Sequence, residues 1–496
     1  MPESKMGVLS EDPCGVTSAS ICAQVTEISY PQKMCILVKK LRRTYTPGWE
    51  TTSGRAGTLW VRGGGVWRCV EVGSDVRTSR CLEEHSNESG GNAMEAFVPV
   101  VNGGELRLQR RQTVVRGSRA AKHAVLCAAS PPVAPVAEGQ GKILLDCARG
   151  NQVSRPPVWL MRQAGRYMSA FREYSDKYPF RQRSETPEIA IELSLQPWRA
   201  FQTDGVIMFS DILTPLPAIG IEFDIVKGRG PTFESPLRSQ ADVDRVLSVS
   251  DFDPHSKLPF VAETLSALRS EIGDACTLLG FVGCPWTLAA YATEGSSKKE
   301  IPATKRMMYS EPQILHSLLD KLADMVGEYA CFQIESGAEV LQFFDSWAHH
   351  LTPAQYAEFS LPYTLRSIEI ARRRHLDTPL IFFANGGAGK LELIQKLAPS
   401  VNVVGLDWAT DMADARKTFG KDAVLQGNMD PLVLLGSDDH IKREVQRVCR
   451  AAGTGRHILN VGHGVVQGTP ERAVGLFCEQ ARAYLYEESA APAAAR

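Results

Sequence analysis

The most constraining feature of this sequence recurs from about residue 142 onward. A short run of Val, Ile, Leu or Phe ends in a small residue and then in one polar residue with chemical capacity. Gly205-Val-Ile-Met-Phe-Ser-Asp211 is a clear case, and Gln342-Phe-Phe-Asp-Ser346 and Leu459-Asn-Val-Gly-His463 repeat it. Runs of this kind predict strands at 206–209, 277–282, 340–344, 380–384, 403–406, 423–426 and 457–461. Because they are apolar throughout rather than alternating, both faces of each strand must be covered, and strands separated by helices form a parallel sheet. The helix predicted over 313–336 places Ile314, Leu315, Leu318, Leu319, Leu322, Met325 and Val326 on one face, with Gly337 at the cap position. Thr352-Pro-Ala-Gln355 supplies an N-cap, a proline at the first helical position and a capping-box glutamine; Thr469-Pro470 is read as opening the last helix in the same way. Seven strands, with a weaker candidate near 232–235, predict an α/β fold: a (β/α)8 barrel of the TIM type. A doubly wound open sheet would give the same pattern, since closure leaves no mark on the sequence.

The folded region is expected to span 141–488, followed by a disordered tail at 489–496. Residues 1–140 have no sustained period, and no ordered core is predicted there. Within them, the stretch from Met94 to Cys127 holds six basic residues, Arg107, Arg110, Arg111, Arg116, Arg119 and Lys122, against Glu95 and Glu105. This is the Arg-rich, acid-poor bias of an organelle transit peptide, so 94–140 reads as a transit-like segment and linker. Residues 1–93 then read as a disordered extension or as upstream sequence preceding a true start at Met94.

The net charge of -1 gives no global field for nucleic acid. No apolar stretch is long enough to span a membrane. The 12 cysteines include no Cys-x-x-Cys pair and no metal-ligand spacing, as expected of small buried hydrophobes.

In parallel α/β folds the site gathers at the carboxyl ends of the strands. Those ends supply Asp211, the turn Gly283-Cys-Pro-Trp-Thr287 leading to Tyr291, and Ser346 with His349 and His350. They also supply Asn385-Gly-Gly387, Asp407, Asn428 with Asp430, and His463. Asp407, Asn428 and Asp430 serve equally well as loop caps. Adjacent histidines point apart, so His349-His350 is no metal pair, and Gly386-Gly-Ala-Gly-Lys390 lacks phosphate-loop spacing. Before the first predicted strand, Arg162 and Arg166 stand four apart. A helical or turned backbone would put both guanidinium forks on one side, with Gly165 allowing a ligand to approach closely; such pairs suit carboxylate or phosphate recognition.

Six motifs in order carry a resemblance: Met161-Arg-Gln-Ala-Gly-Arg-Tyr167, Phe209-Ser-Asp-Ile-Leu213, Gly283-Cys-Pro-Trp-Thr-Leu288 with Tyr291, Phe344-Asp-Ser-Trp-Ala348, Gln426-Gly-Asn-Met-Asp-Pro431 and Asn460-Val-Gly-His-Gly464. Over about 142–486 the chain resembles uroporphyrinogen decarboxylase. The resemblance implies a homodimeric (β/α)8 barrel that converts the four acetate side chains of uroporphyrinogen III to methyl groups, giving coproporphyrinogen III. It implies no metal and no organic cofactor. It assigns substrate binding to Arg162, Arg166, Asp211, Tyr291, Ser346 and His463, with Asp211, Tyr291, Arg162 and Arg166 also catalytic. Cys284 and His349 depart from the family's usual smaller residues. The transit-like segment fits a form residing in the plastid stroma.

Decarboxylation without a cofactor needs an electron sink, which a protonated pyrrole provides. Asp211 is expected to be the counter-charge of that cation, and the arginines to grip carboxylates that are not reacting. Tyr291 and His463 both remain candidates for the proton donor. A corrinoid-dependent methyltransferase, or a non-catalytic porphyrinogen-binding protein, would share much of this pattern.

Overall fold

The computed structural model divides the chain into two units, Met1–Pro132 and Val133–Arg496. It describes residues 142–486 apart from 227, 298, 299 and 454, and strand backbone only within 50–112. Six strands there pair as an antiparallel meander in sequence order, where no ordered core was predicted. Their side chains, the rest of 1–141 and the tail lie outside the described residues, and with them the expectations for 1–93, 94–140 and 489–496.

In the second unit seven parallel strands pair in chain order: β1 (Gly205–Ile207), β2 (Thr277–Gly283), β3 (Val340–Asp345), β4 (Leu380–Ala384), β5 (Val403–Gly405), β6 (Val424–Gln426) and β7 (His457–Ile458). Each lies within or on a predicted run, because only a continuous apolar segment can be buried on both faces. Helices stand between them; Pro312–Glu335 precedes β3 and buries Leu315, Leu318, Leu319, Leu322, Met325 and Val326, with Gly337 following at φ +118°.

The eighth position is not where the sequence suggested. Residues 230–232 instead form an antiparallel hairpin, Asp224–Val226 with Gly230–Thr232, separate from the sheet. The gap between β7 and β1 is filled by 157–160. Leu459 N–H donates to the Pro157 carbonyl at 2.8 Å, Val158 bridges Leu459 in parallel, and Asp204 N–H donates to the Val158 carbonyl at 2.8 Å. Hydrogen bonding on both sides of this segment closes the barrel, which the doubly wound alternative would leave open. Arg155 fixes the closure through two bonds to Asp204, at 2.9 and 2.7 Å, while Asp204 Oδ2 also accepts from Val158 N–H at 2.7 Å.

Inside, Trp159, Met161, Leu279, Val340, Ile381, Phe383, Val403, Val424 and Ile458 form one buried cluster. Leu144, Leu145, Cys147 and Ala148 of the helix Ile143–Ala148 join that cluster from the preceding chain. Within the interior, Trp159 Nε1 donates to Gln426 Oε1 and Gln426 Nε2 to Gln342 Oε1, at 2.9 and 3.0 Å. Half-buried Phe281 and Phe344 meet edge to face at 5.8 Å, toward the carboxyl ends of β2 and β3.

The capping box at Thr352 forms as expected. The last helix departs from its expected start: it is Glu471–Ala483, its N-cap is Pro470, and the buried Thr469 hydroxyl has no partner. The six described cysteines are all buried and unpaired.

Candidate active site

Asp211 stands where the chain leaves β1. Its turn is locked: Leu213 N–H donates to Oδ1 at 2.9 Å, Thr214 N–H to the main-chain carbonyl at 3.1 Å, and the Thr214 hydroxyl accepts from Asp211 N–H at 3.3 Å. Oδ2 bonds to no described residue. Burial pushes the carboxyl above its ordinary value, and the Leu213 N–H and the Arg162 guanidinium pull it back. A carboxyl balanced in this way is incompletely compensated, and a cationic or N–H-bearing ligand would favour its charged form.

Arg162 unites the site electrostatically. It is close enough to pull down the pKa values of Asp211, Tyr291 and His463 alike. The residue itself adopts a left-handed backbone, φ +54°, in a turn that Met161 anchors by accepting from Val465 N–H and donating to Asn460 Oδ1, both at 3.0 Å. The side chain lies against Gly464; a Cβ there would overlap its Cδ and stand 2.6 Å from its Cγ.

Tyr291, on the helix Pro285–Glu294 after β2, packs its ring 4.1 Å from that of Trp347. Desolvation and the nearby Asp211 charge push its phenol up to about 12, so it keeps its proton at neutral pH. His463 is half-buried, and desolvation together with Arg162 holds it down to about 4: it is neutral at pH 7 in the free protein. Ser346, at the end of β3, offers its carbonyl to Asn385 Nδ2 at 3.1 Å and to His349 Nδ1 at 3.2 Å, while its hydroxyl bonds to no described residue.

Arg162 and Arg166 lie in a turn rather than a helix, and Arg166 acts electrostatically on Arg183. Gly165 serves its own turn, since a Cβ there would meet the Arg162 carbonyl and the Tyr167 ring at 3.3 Å.

The bland alternatives hold at several other strand ends. Asp407 is saturated by Gly386 N–H, Gly387 N–H and both the N–H and hydroxyl of Thr410, at 2.5 to 3.0 Å. Asn428 Nδ2 caps the Asp407 and Thr410 carbonyls, and Asp430 caps Leu432 N–H. Lys390 folds back on the Gly386 carbonyl at 2.8 Å. Among the described residues no three His, Cys, Asp or Glu side chains are grouped to hold a metal ion.

A family model described as uroporphyrinogen decarboxylase (URO-D) matches residues 140–484, essentially the whole described barrel. The chain belongs to the uroporphyrinogen decarboxylase family. A relative of that name from Synechocystis sp. is 55% identical over 340 residues, covering 68% of this chain and 96% of its own. Another, from Gloeobacter violaceus, is 49% identical over 354 residues, covering 71% and 99%. Among solved structures, a methyltransferase from Methanosarcina mazei superposes with a TM-score of 0.58 at 19% identity, over 69% of this chain and 97% of that one, which shows the shared fold alone.

Two departures from the uroporphyrinogen decarboxylase pattern are accommodated. Cys284 is wholly buried, and His349 is held by Ser346 and by Asn385 Nδ2 at 3.1 Å. Sequence reasoning missed Tyr329, which reaches Ser210 and the Asp211 charge from the helix Pro312–Glu335. The available signal was a tyrosine within an otherwise apolar helix face, whose hydroxyl needs a partner when buried.

Proposed function

We propose that this barrel decarboxylates the four acetate side chains of uroporphyrinogen III, giving coproporphyrinogen III in tetrapyrrole biosynthesis. The observation that carries the reading is that Arg162 acts electrostatically on Asp211, Tyr291 and His463 together, at the carboxyl ends of the strands. A scaffold protein would have no use for a half-compensated carboxylate held among donors and a cation.

In each turnover a pyrrole carbon takes a proton and the ring becomes cationic. The bond between the acetate methylene and its carboxyl breaks, its electrons enter the ring, and CO2 leaves. The methylene carbon then gains a proton while the ring carbon loses one; the net change is one proton consumed per CO2 released. Asp211 Oδ2 accepts the pyrrole N–H and stabilises the cation more than the neutral ground state, so it lowers the barrier rather than merely tightening binding. Tyr291 and Ser346 hold carboxylates through neutral hydroxyls. An arriving substrate carboxylate raises the pKa values of both Tyr291 and His463, with opposite consequences. The phenol becomes a weaker acid, whereas the imidazole becomes easier to protonate; this favours His463 as the donor. Arg162 and Arg166 orient carboxylates that are not reacting, since pairing with the one that leaves would stabilise the ground state.

The test is anaerobic incubation of the purified protein with uroporphyrinogen III and chromatography of the oxidised products. Coproporphyrin is expected, and its absence overturns the reading. A corrinoid-dependent methyltransferase has weaker support, because its likeness is one of fold and the described residues offer no metal-binding cluster.

The same reading makes the protein a homodimer in the plastid stroma, delivered by residues 94–140. Its support is the Arg-rich, acid-poor stretch and the kinship with cyanobacterial enzymes. No helix among the described residues is long and apolar enough to cross a membrane. Light scattering tests the dimer; N-terminal sequencing of the mature protein tests delivery, and a start well before Ala120 overturns it.

A further inference from the structure

Arg183 is a buried cation that the mechanism above does not use. It sits in the short helix Phe180–Glu185 and is 8% exposed. Three rings wrap its guanidinium: Phe171 and Phe180 at 5.4 Å and Phe209 at 5.7 Å. Nε donates to the Tyr178 carbonyl at 3.1 Å, and the two terminal nitrogens bond to no described residue. No described carboxylate pairs with it; Glu185, in the same helix, pairs with Arg181 instead. The charge acting on it is a like one, Arg166, and burial with that repulsion holds Arg183 down to about 10.

Two arginines that repel each other, neither with a described acid, suit a shared anion: a carboxylate between them would remove the repulsion and satisfy both forks. The aromatic wrapping fixes the direction of the guanidinium and excludes water from its faces, so it is preorganised for one ligand. Its position ties it to the chemistry, because Phe171 follows Arg166 in the chain and Phe209 precedes Asp211 by two residues. We propose that Arg183 and Arg166 together clamp one non-reacting side-chain carboxylate of the tetrapyrrole, making Arg183 a substrate-positioning residue of this enzyme. The assignment rests on the decarboxylase reading and names a contact that reading does not contain.

The decisive comparison is wild type against Arg183→Lys and Arg183→Met, measured for KM, kcat, melting temperature and direct titration with uroporphyrin III, the oxidised octa-acid. Losing a charge-assisted contact corresponds to roughly a tenfold or greater rise in KM and Kd. For Arg183→Met that rise is expected with single-turnover decarboxylation within about twofold of wild type, the flexible thioether still filling the aromatic box. Arg183→Lys, retaining the charge without the fork, should recover part of the affinity. Unchanged KM and Kd in Arg183→Met overturn the proposal. So does a loss of affinity that tracks a lowered melting temperature in both variants, which would make Arg183 a packing residue. Wild-type protein that binds and decarboxylates normally separates either result from a failure of the decarboxylase reading; wild-type protein that neither binds nor reacts overturns both.

Discussion

Asp211 pays for its place in the site, since its burial costs more than Arg162 and one N–H return, and its carboxyl is raised. A carboxyl whose burial is incompletely offset gains most from a positive charge that appears beside it during reaction. Asp211→Asn should therefore fold, melt no lower than wild type, and lose roughly a hundredfold or more in kcat, the usual scale for a preorganised electrostatic group. Steady-state kinetics with thermal melting checks this, and near-normal kcat would refute the counter-charge role. Arg166 belongs to positioning. Arg166→Lys should raise KM by about tenfold, because a point charge cannot replace a planar fork, while single-turnover chemistry stays intact. Normal binding with lost chemistry would count against it. At this scale the sequence pointed to the polar residues at the strand ends but not to the partners each of them has. The four-residue spacing foretold neither the left-handed backbone of Arg162 nor the action of Arg166 on Arg183.

The loops after β1, β2, β3 and β7 hold the site by main-chain contacts as much as by side chains. Gly464 is the sharpest case: its missing Cβ is the space through which the Arg162 stem passes. Gly464→Ala should leave the fold intact, displace Arg162 and deprive Asp211 of its compensating cation. The carboxyl should rise further, so the acid limb of the kcat/KM profile moves to higher pH; an unshifted limb would show that Arg162 does not tune Asp211. These strand ends were readable because burial on both faces demands uninterrupted apolar runs, and each of the seven runs became a strand. The closing segment was not readable. Val158-Trp-Leu160 is too short to stand out, follows Pro156 and Pro157, and adjoins residues that draw attention for their arginines. Its partnership with β7 spans some 300 residues of sequence, as in Val158 with Leu459, and no local pattern encodes that.

Across the whole barrel, titratable groups without a site role oppose one another. His457 is wholly buried, with Nε2 2.6 Å from the Gly427 carbonyl, and desolvation depresses it to about 4 from an ordinary 6.5. Its stabilising contribution is present above pH 6.5 and is lost as pH falls through about 4. Asp345, held by the Thr287 and Ser360 hydroxyls at 2.7 and 2.5 Å, is raised by desolvation from 3.8 to about 6. Its contribution is full below pH 3.8 and is lost as pH rises through about 6. His350 is also depressed to about 4, so among these groups the histidines outnumber Asp345, and the melting temperature should fall between pH 6.5 and 4. Asp345→Asn, which removes the opposing slope, should steepen that fall; a shallower one would contradict the balance. The other whole-molecule determinant is closure. Asp204 joins β1 to the closing segment through the Arg155 fork and the Val158 N–H, and Asp204→Ala leaves a buried guanidinium without its carboxylate. Breaking such a pair costs about 3–5 kcal/mol. The segment it releases runs directly into Met161 and Arg162, so activity should decline at temperatures where the rest of the barrel is still folded. Circular dichroism and activity followed on one temperature ramp would separate those events, and their coincidence would mean that closure and site are not coupled through residues 157–162.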